Sequence, residues 1–247
     1  MRETRKLVIL AAGFVAVVTL ALFTVSAVAG RNTGSAERAG GSSTSGDTDR
    51  TAGTAATGPR VAFYGDSYTL GTGASDPARR WSSIVSVERG WNEFNPSVNG
   101  LGFVNNRSST PPDYDADDEV PQVIADNPDI LFVTMGLNDN FSMPERADEI
   151  QDAISTDLRF LHDSLPATRI IVVEPFWYTD DRPESVETII GWVRSAADDI
   201  GADWVPDASH WIEGHPEWMA SDGLHPNDDG YAEMATRMDA ELGRLGL

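Results

Sequence analysis

Asp222 and His225 stand three residues apart in Asp222-Gly223-Leu224-His225-Pro226, close to the C-terminus of this 247-residue chain. On one tight loop, that spacing lets the carboxylate accept a hydrogen bond from Nδ1–H. Nε2 is then free to take a proton from a hydroxyl. Ser67, in Gly65-Asp66-Ser67-Tyr68-Thr69-Leu70-Gly71, offers such a hydroxyl. A serine at a strand-to-helix turn projects its Oγ while its own amide faces the same space, which suits a nucleophile that must also steady an oxyanion. Two further stretches offer donors for that charge. In Gly136-Leu137-Asn138-Asp139 the Asn138 carboxamide can donate, and in Asn99-Gly100-Leu101-Gly102 a glycine amide can approach a substrate oxygen closely. The chemistry available to such a set is nucleophilic attack on a carbonyl carbon.

Each stretch has a plainer reading. Ser67 can cap a helix, Asn138-Asp139 can form a turn, and His225 can be incidental to a capping loop. Gly100 or Gly102 can be an ordinary loop glycine. His162, His210 and His215 compete with His225 for the role of base. His162 lies in an amphipathic helical pattern, which favours a surface position. His210 and His215 lie in a Trp-rich loop, and no aspartate stands three residues before His215.

The elements around these stretches alternate in kind. Residues 61–64 read as a short buried strand, 79–89 as a helix, and 94–98 as a short second strand that Pro96 weakens. A strong buried strand follows at 129–135, then a helix over 144–165 with Pro144 in its first turn. Residues 169–174 form another strand, 183–200 a helix, 203–205 a last strand and 227–245 a closing helix. Such alternation argues an α/β fold, a parallel sheet with helices on both faces. Sites in these sheets lie at the carboxyl ends of the strands, where the polar stretches fall.

Arg2, Arg5 and Lys6 precede an uncharged apolar run of 23 residues, Leu7 to Ala29. Positive charge followed by such a run marks an export signal. Its length suits a retained membrane anchor, whereas Ala27 and Ala29 suit cleavage after Ala29. Residues 30–58, rich in Gly, Ser, Thr and Ala, read as a flexible tether, leaving 59–247 as the folded domain. Either reading of residues 1–29 places that domain outside the cytoplasm, secreted or anchored, with membrane contact only through residues 7–29.

The formal charge is −21, and from Arg60 onward 12 arginines face 35 acidic residues with no lysine. Such a surface repels phosphate backbones and anionic bilayers, which argues against nucleic acid as a partner. With no cysteine, neither a disulfide nor a thiolate metal site is available. Seven tryptophans lie within the domain; Trp177, Trp211 and Trp218 fall in loops near strand ends, where they serve either packing or stacking on a substrate. Oligomeric state leaves no signature in the sequence.

The four stretches, in this order, resemble the SGNH (GDSL-type) hydrolase family from about Arg60 to the C-terminus. GDSY followed by Thr69 and Gly71, GLND, and DGLHP carry the likeness, with the glycine block the loosest part. The resemblance implies a three-layer α/β/α sandwich with a parallel, flavodoxin-like sheet. It implies a serine ester hydrolase with Ser67 as nucleophile, His225 as general base and then acid, and Asp222 as its orienting partner. The oxyanion would be held by the amides of Ser67 and Gly100 and by the Asn138 side chain, with Gly102 an alternative to Gly100. No metal or other cofactor is implied, and Asp66 and Asp139 would fix loops. No long apolar insertion suggests a lipase lid, so the expected substrate is a short acyl ester, acetyl-like, of a carbohydrate or small alcohol. An acyltransferase on the same site and a noncatalytic surface-binding module are the rival readings.

Overall fold

The computed structural model describes residues 58–115 and 118–247. The expected leader, residues 1–29, and all of the expected tether except residue 58 lie outside them. Among the described residues no helix is long and apolar enough to cross a membrane.

Five parallel strands form one sheet: β1 (Arg60–Gly65), β2 (Asn92–Phe94), β3 (Ile130–Thr134), β4 (Arg169–Val173) and β5 (Asp203–Val205), in the order β2-β1-β3-β4-β5. Successive side chains of a strand point to opposite faces, and both faces of this sheet are apolar. Val61, Phe63, Phe132 and Ile171 point toward α2 (Trp81–Arg89) and α6 (Asp228–Arg244), where Trp81, Val85, Tyr231, Met234 and Met238 complete one core. Ala62, Tyr64, Leu131, Val133 and Val172 point the other way. They meet α3 (Glu119–Asp126), α4 (Ala147–Ser164) and α5 (Glu184–Ile200) through Val123, Ile154, Leu158, Ile189 and Val193. The result is the expected three-layer α/β/α sandwich with a flavodoxin-like strand order.

Three local expectations differ. The second strand covers Asn92–Phe94 rather than 94–98, because the proline at 96 has no N–H for the ladder. Beyond it the chain leaves the sheet through side-chain bonds, Asn95 Nδ2 donating to the Thr69 carbonyl (2.8 Å) and Ser97 Oγ to that of Phe63 (2.9 Å). Helix α4 begins at Ala147 rather than at Pro144, since residues 142–147 close a turn through the amides of Arg146 and Ala147. Helix α3 has no counterpart in the sequence reading: Pro121 within a segment of eight residues masks the pattern.

The strand order leaves β1 with β2 on one side and β3 on the other. At such a reversal the connections diverge and open a crevice at the carboxyl ends of the strands. Ser67 follows β1 and Asn138 follows β3, so both stand at that crevice.

Candidate active site

Asp66, not Ser67, is the cap. Its Oδ1 accepts from the Tyr68 amide at 2.9 Å, opening the one-turn helix α1 (Ser67–Leu70), which Gly71 closes in the left-handed conformation. Ser67 is therefore the first helical residue, with an amide that has no acceptor within the helix. Gly65 makes the turn possible, because a Cβ there would lie 2.1 Å from Thr134 Oγ1. Thr134 Oγ1 is itself hydrogen-bonded to Thr69 Oγ1 at 2.5 Å, tying the ends of β1 and β3 together.

Asn138 opens a 3-10 turn, Asn138–Ser142, and is buried. Its Nδ2 donates to the Leu101 carbonyl at 3.0 Å and to Asp66 Oδ2 at 3.2 Å. Both donors of the carboxamide are thus engaged within the protein. Asp139, fully buried, accepts from the amides of Phe103 and Val104 (both 2.8 Å) and Asn105 (3.2 Å). It thus binds the glycine loop to the Asn138 turn.

That loop separates the two glycines. The Gly102 amide donates to the Asn105 carbonyl at 2.9 Å, and a Cβ on Gly102 would lie 2.6 Å from Asp139 Oδ1. Gly102 is there for packing. Gly100 has a φ of +74°, lines the cleft with Ser67, and its amide takes no acceptor among the described residues. Arg107 anchors the far end of the loop. Its Nε donates to the Gly102 carbonyl at 3.0 Å, and its guanidinium, almost fully buried, pairs with Asp157 and bonds the Tyr64 hydroxyl. Tyr114 completes this box by donating to Asp157 Oδ1 at 2.6 Å.

His225 and Asp222 occupy a loop drawn shut by the Ala220 amide, which donates to the His225 carbonyl at 2.8 Å. Asn227 caps α6 behind it, accepting from the amides of Asp229 and Gly230 at 3.0 Å. His225 Nδ1 lies 2.7 Å from Asp222 Oδ2, while Asp222 Oδ1 accepts from the amides of Leu224 (2.9 Å) and His225 (3.0 Å). Burial pushes the Asp222 carboxyl up, but these hydrogen bonds outweigh it and hold the group down at about 2. Asp222 is therefore a carboxylate at neutral pH, able to keep the proton of the ring on Nδ1. The Tyr68 hydroxyl donates to the Leu224 carbonyl at 2.7 Å, fastening this loop to α1.

Ser67, Gly100, Asn138 and His225 line one cleft of about 290 Å³, with Tyr68, Leu137 and Leu224 among its walls. The competing histidines are occupied elsewhere: His162 with Asp163, His210 with Glu213 and His215 with Glu217. None of them lines this cleft. Trp177 and Trp211 belong to the core, and Trp218 stacks on His215 with centroids 3.6 Å apart, so the first two offer no stacking face. Among the described residues no group of three or more His, Cys, Asp or Glu is placed to hold a metal.

Sequence reasoning missed Tyr68 and Arg107. Tyr68 was visible as part of the GDSY stretch, but its tie to Leu224 spans 156 residues. Arg107 carried no local signal, because its partner Asp157 lies on α4.

A profile of the GDSL-like lipase/acylhydrolase family matches residues 63–233. A GDSL lipase of Mycobacterium tuberculosis is 28% identical over 188 residues, covering 72% of this chain and 79% of that protein. Among solved structures, the psychrotrophic esterase EstA of a Pseudoalteromonas species superposes with a TM-score of 0.58 at 12% identity, covering 76% of this chain and 98% of that one. The acetylxylan esterase Axe2 of Geobacillus stearothermophilus does so with 0.54 at 18% identity, covering 76% and 96%. At such identities the structural likeness speaks for the fold, while the sequence profile spans most of the domain. This chain belongs to the GDSL-like lipase/acylhydrolase family of carboxylic ester hydrolases.

Proposed function

We propose that this protein cleaves short acyl esters, acetyl-like, of a carbohydrate or small alcohol through a Ser67–His225–Asp222 triad. The observation that carries the reading is the shared cleft: Ser67, Gly100, Asn138 and His225 together line about 290 Å³, small for a ligand site. That volume favours an acetyl-sized group over a long chain.

Ser67 Oγ attacks the ester carbonyl as His225 Nε2 takes its proton. The carbonyl oxygen becomes an oxyanion held by the amides of Ser67 and Gly100 and by Asn138 Nδ2. The imidazolium, steadied by Asp222, gives the proton to the departing alkoxide, and the alcohol leaves. Water then repeats the sequence on the acyl-enzyme, releasing the acid and restoring Ser67. Gly100 is the assigned donor because its amide is uncommitted, whereas that of Gly102 is spent within the loop.

The test uses the domain from Pro59 onward with p-nitrophenyl acetate, longer-chain p-nitrophenyl esters and a Ser67→Ala control. The reading expects turnover that is lost in the control and falls as the acyl chain lengthens. Turnover that survives Ser67→Ala would refute it. The same reading places the domain outside the cytoplasm, on the strength of Arg2, Arg5, Lys6 and the apolar run to Ala29. Fractionation of cells making the full chain should find it there, and recovery in the cytoplasm alone would refute export.

A further inference from the structure

A second and larger cleft, of about 410 Å³, lies against the loop that carries the catalytic histidine. Ser221 and Gly223 line it, while Leu224 and His225 line the reaction cleft, so the two clefts share the 220–225 loop as a wall. Tyr178 lines the larger cleft and Tyr68 the smaller one.

The lining of this cleft mixes two chemistries. Ile212 and Met219 form an apolar part. Around them stand polar groups with capacity to spare. Asp180 gives one carboxylate oxygen to the Gly214 amide at 2.7 Å, leaving the other unengaged. His215 uses Nδ1 on Glu217 and keeps Nε2. Ser221 is exposed, and its hydroxyl has no protein partner among the described residues. A carboxylate, a hydroxyl, an imidazole and a phenol beside an apolar patch match a molecule with many hydroxyls and an apolar face. An acyl chain would leave these groups unsatisfied, and an anion would meet Asp180 and the acidic surface.

We propose that this cleft seats the alcohol side of the substrate, and that the alcohol is a sugar. Asp180 accepts hydrogen bonds from sugar hydroxyls and Ser221 orients the ring toward the 220–225 loop, with the ester directed into the reaction cleft. The assignment rests on the triad reading above, since it concerns which alcohol that triad releases. It also explains why the reaction cleft can be small: it need hold only the acyl group.

Glucose 6-acetate, p-nitrophenyl acetate and p-nitrophenyl octanoate, given to the parent, Asp180→Asn and Ser221→Ala, provide the test. Both positions are exposed, and thermal melts verify that the variants fold. The ratio of kcat/KM for glucose 6-acetate to that for p-nitrophenyl acetate should fall about tenfold in each variant, carried by KM, as expected for one hydrogen bond to a charged group or its neighbour. An unchanged ratio overturns the proposal. A fall in the octanoate-to-acetate ratio instead would make the cleft an acyl site and overturn it as well. A parent that cleaves p-nitrophenyl acetate but not glucose 6-acetate refutes the sugar seat alone. A parent inactive on all three esters refutes the triad reading first.

Discussion

Replacing Asp222 by asparagine tests how His225 is held. The two side chains have the same shape, so Oδ1 still accepts from the amides of Leu224 and His225. What changes is the atom 2.7 Å from His225 Nδ1: an acceptor becomes an NH2 group. The ring must then accept at Nδ1 and carry its proton on Nε2, where it cannot act as a base. Two effects set the size of the loss. Lowering the Asp222 carboxyl from 3.8 to about 2 corresponds to about 2 kcal/mol of preference for the charged form. The amides of Leu224 and His225 supply part of this, and nearly half of that side chain is exposed (48%), so about 1 kcal/mol is left for the pairing with the His225 ring. Reversing the tautomer adds about 2 kcal/mol, the scale of a misdirected hydrogen bond in a partly buried site. Together these give a fall in kcat of about 10²-fold. Asp222→Ala removes the pairing without imposing the wrong tautomer, so it should lose about thirtyfold less than the asparagine variant. Initial rates on p-nitrophenyl acetate between about pH 5 and 9, normalised by active-site titration, measure both. An asparagine variant within about fivefold of the parent, or an alanine variant slower than it, would refute the reasoning.

Asn138→Ala should fold yet lose about 10²–10³ in kcat with little change in KM; parent-like turnover would take Asn138 out of the oxyanion site. Burial raises the Asp66 carboxyl to about 7. Its unfolded value is about 3.9, so the folded state keeps a proton that the unfolded chain has released, and stability falls as pH rises through that window. The contribution reaches about 4 kcal/mol at its upper end, and urea midpoints near pH 5 and 8 should diverge less for Asp66→Asn than for the parent. An equal divergence would show that Asp66 ionises without cost. Gly102→Ala drives a Cβ to within 2.6 Å of Asp139 Oδ1 and should cost about 1–3 kcal/mol by chemical denaturation. Because Asp139 ties the Gly100 loop to Asn138, kcat should fall too; an unaffected variant would show that the loop yields freely. Arg107→Met breaks a buried ion pair and should cost about 3–5 kcal/mol, and a loss below about 1 kcal/mol would show that Asp157 finds another partner.

The elements and the order of the polar stretches were legible in the chain itself. Buried runs such as Ile130–Thr134 and the apolar spacing of Ile150, Ile154, Leu158 and Leu161 follow from local periodicity, which needs no partner to be read. Asp222 and His225 were legible for the same reason, since three residues of loop bring them together. Helix α3 was not, because Pro121 disguises a segment too short to show a period. Residues that act across the fold were also out of reach. Whether Gly100 or Gly102 has a free amide depends on Asn105 and on the buried carboxylate of Asp139. That Ser67 does not cap its own helix depends on Asp66 taking the role. The partner of Arg107 sits on α4, the tie from Tyr68 reaches Leu224, and Trp177 and Trp211 enter the core rather than a cleft. Spacing along the chain determines which side chains share a turn or a face. Only the packing of the sheet against its helices decides which distant groups share a site, because those contacts depend on strand order and burial rather than on any local pattern.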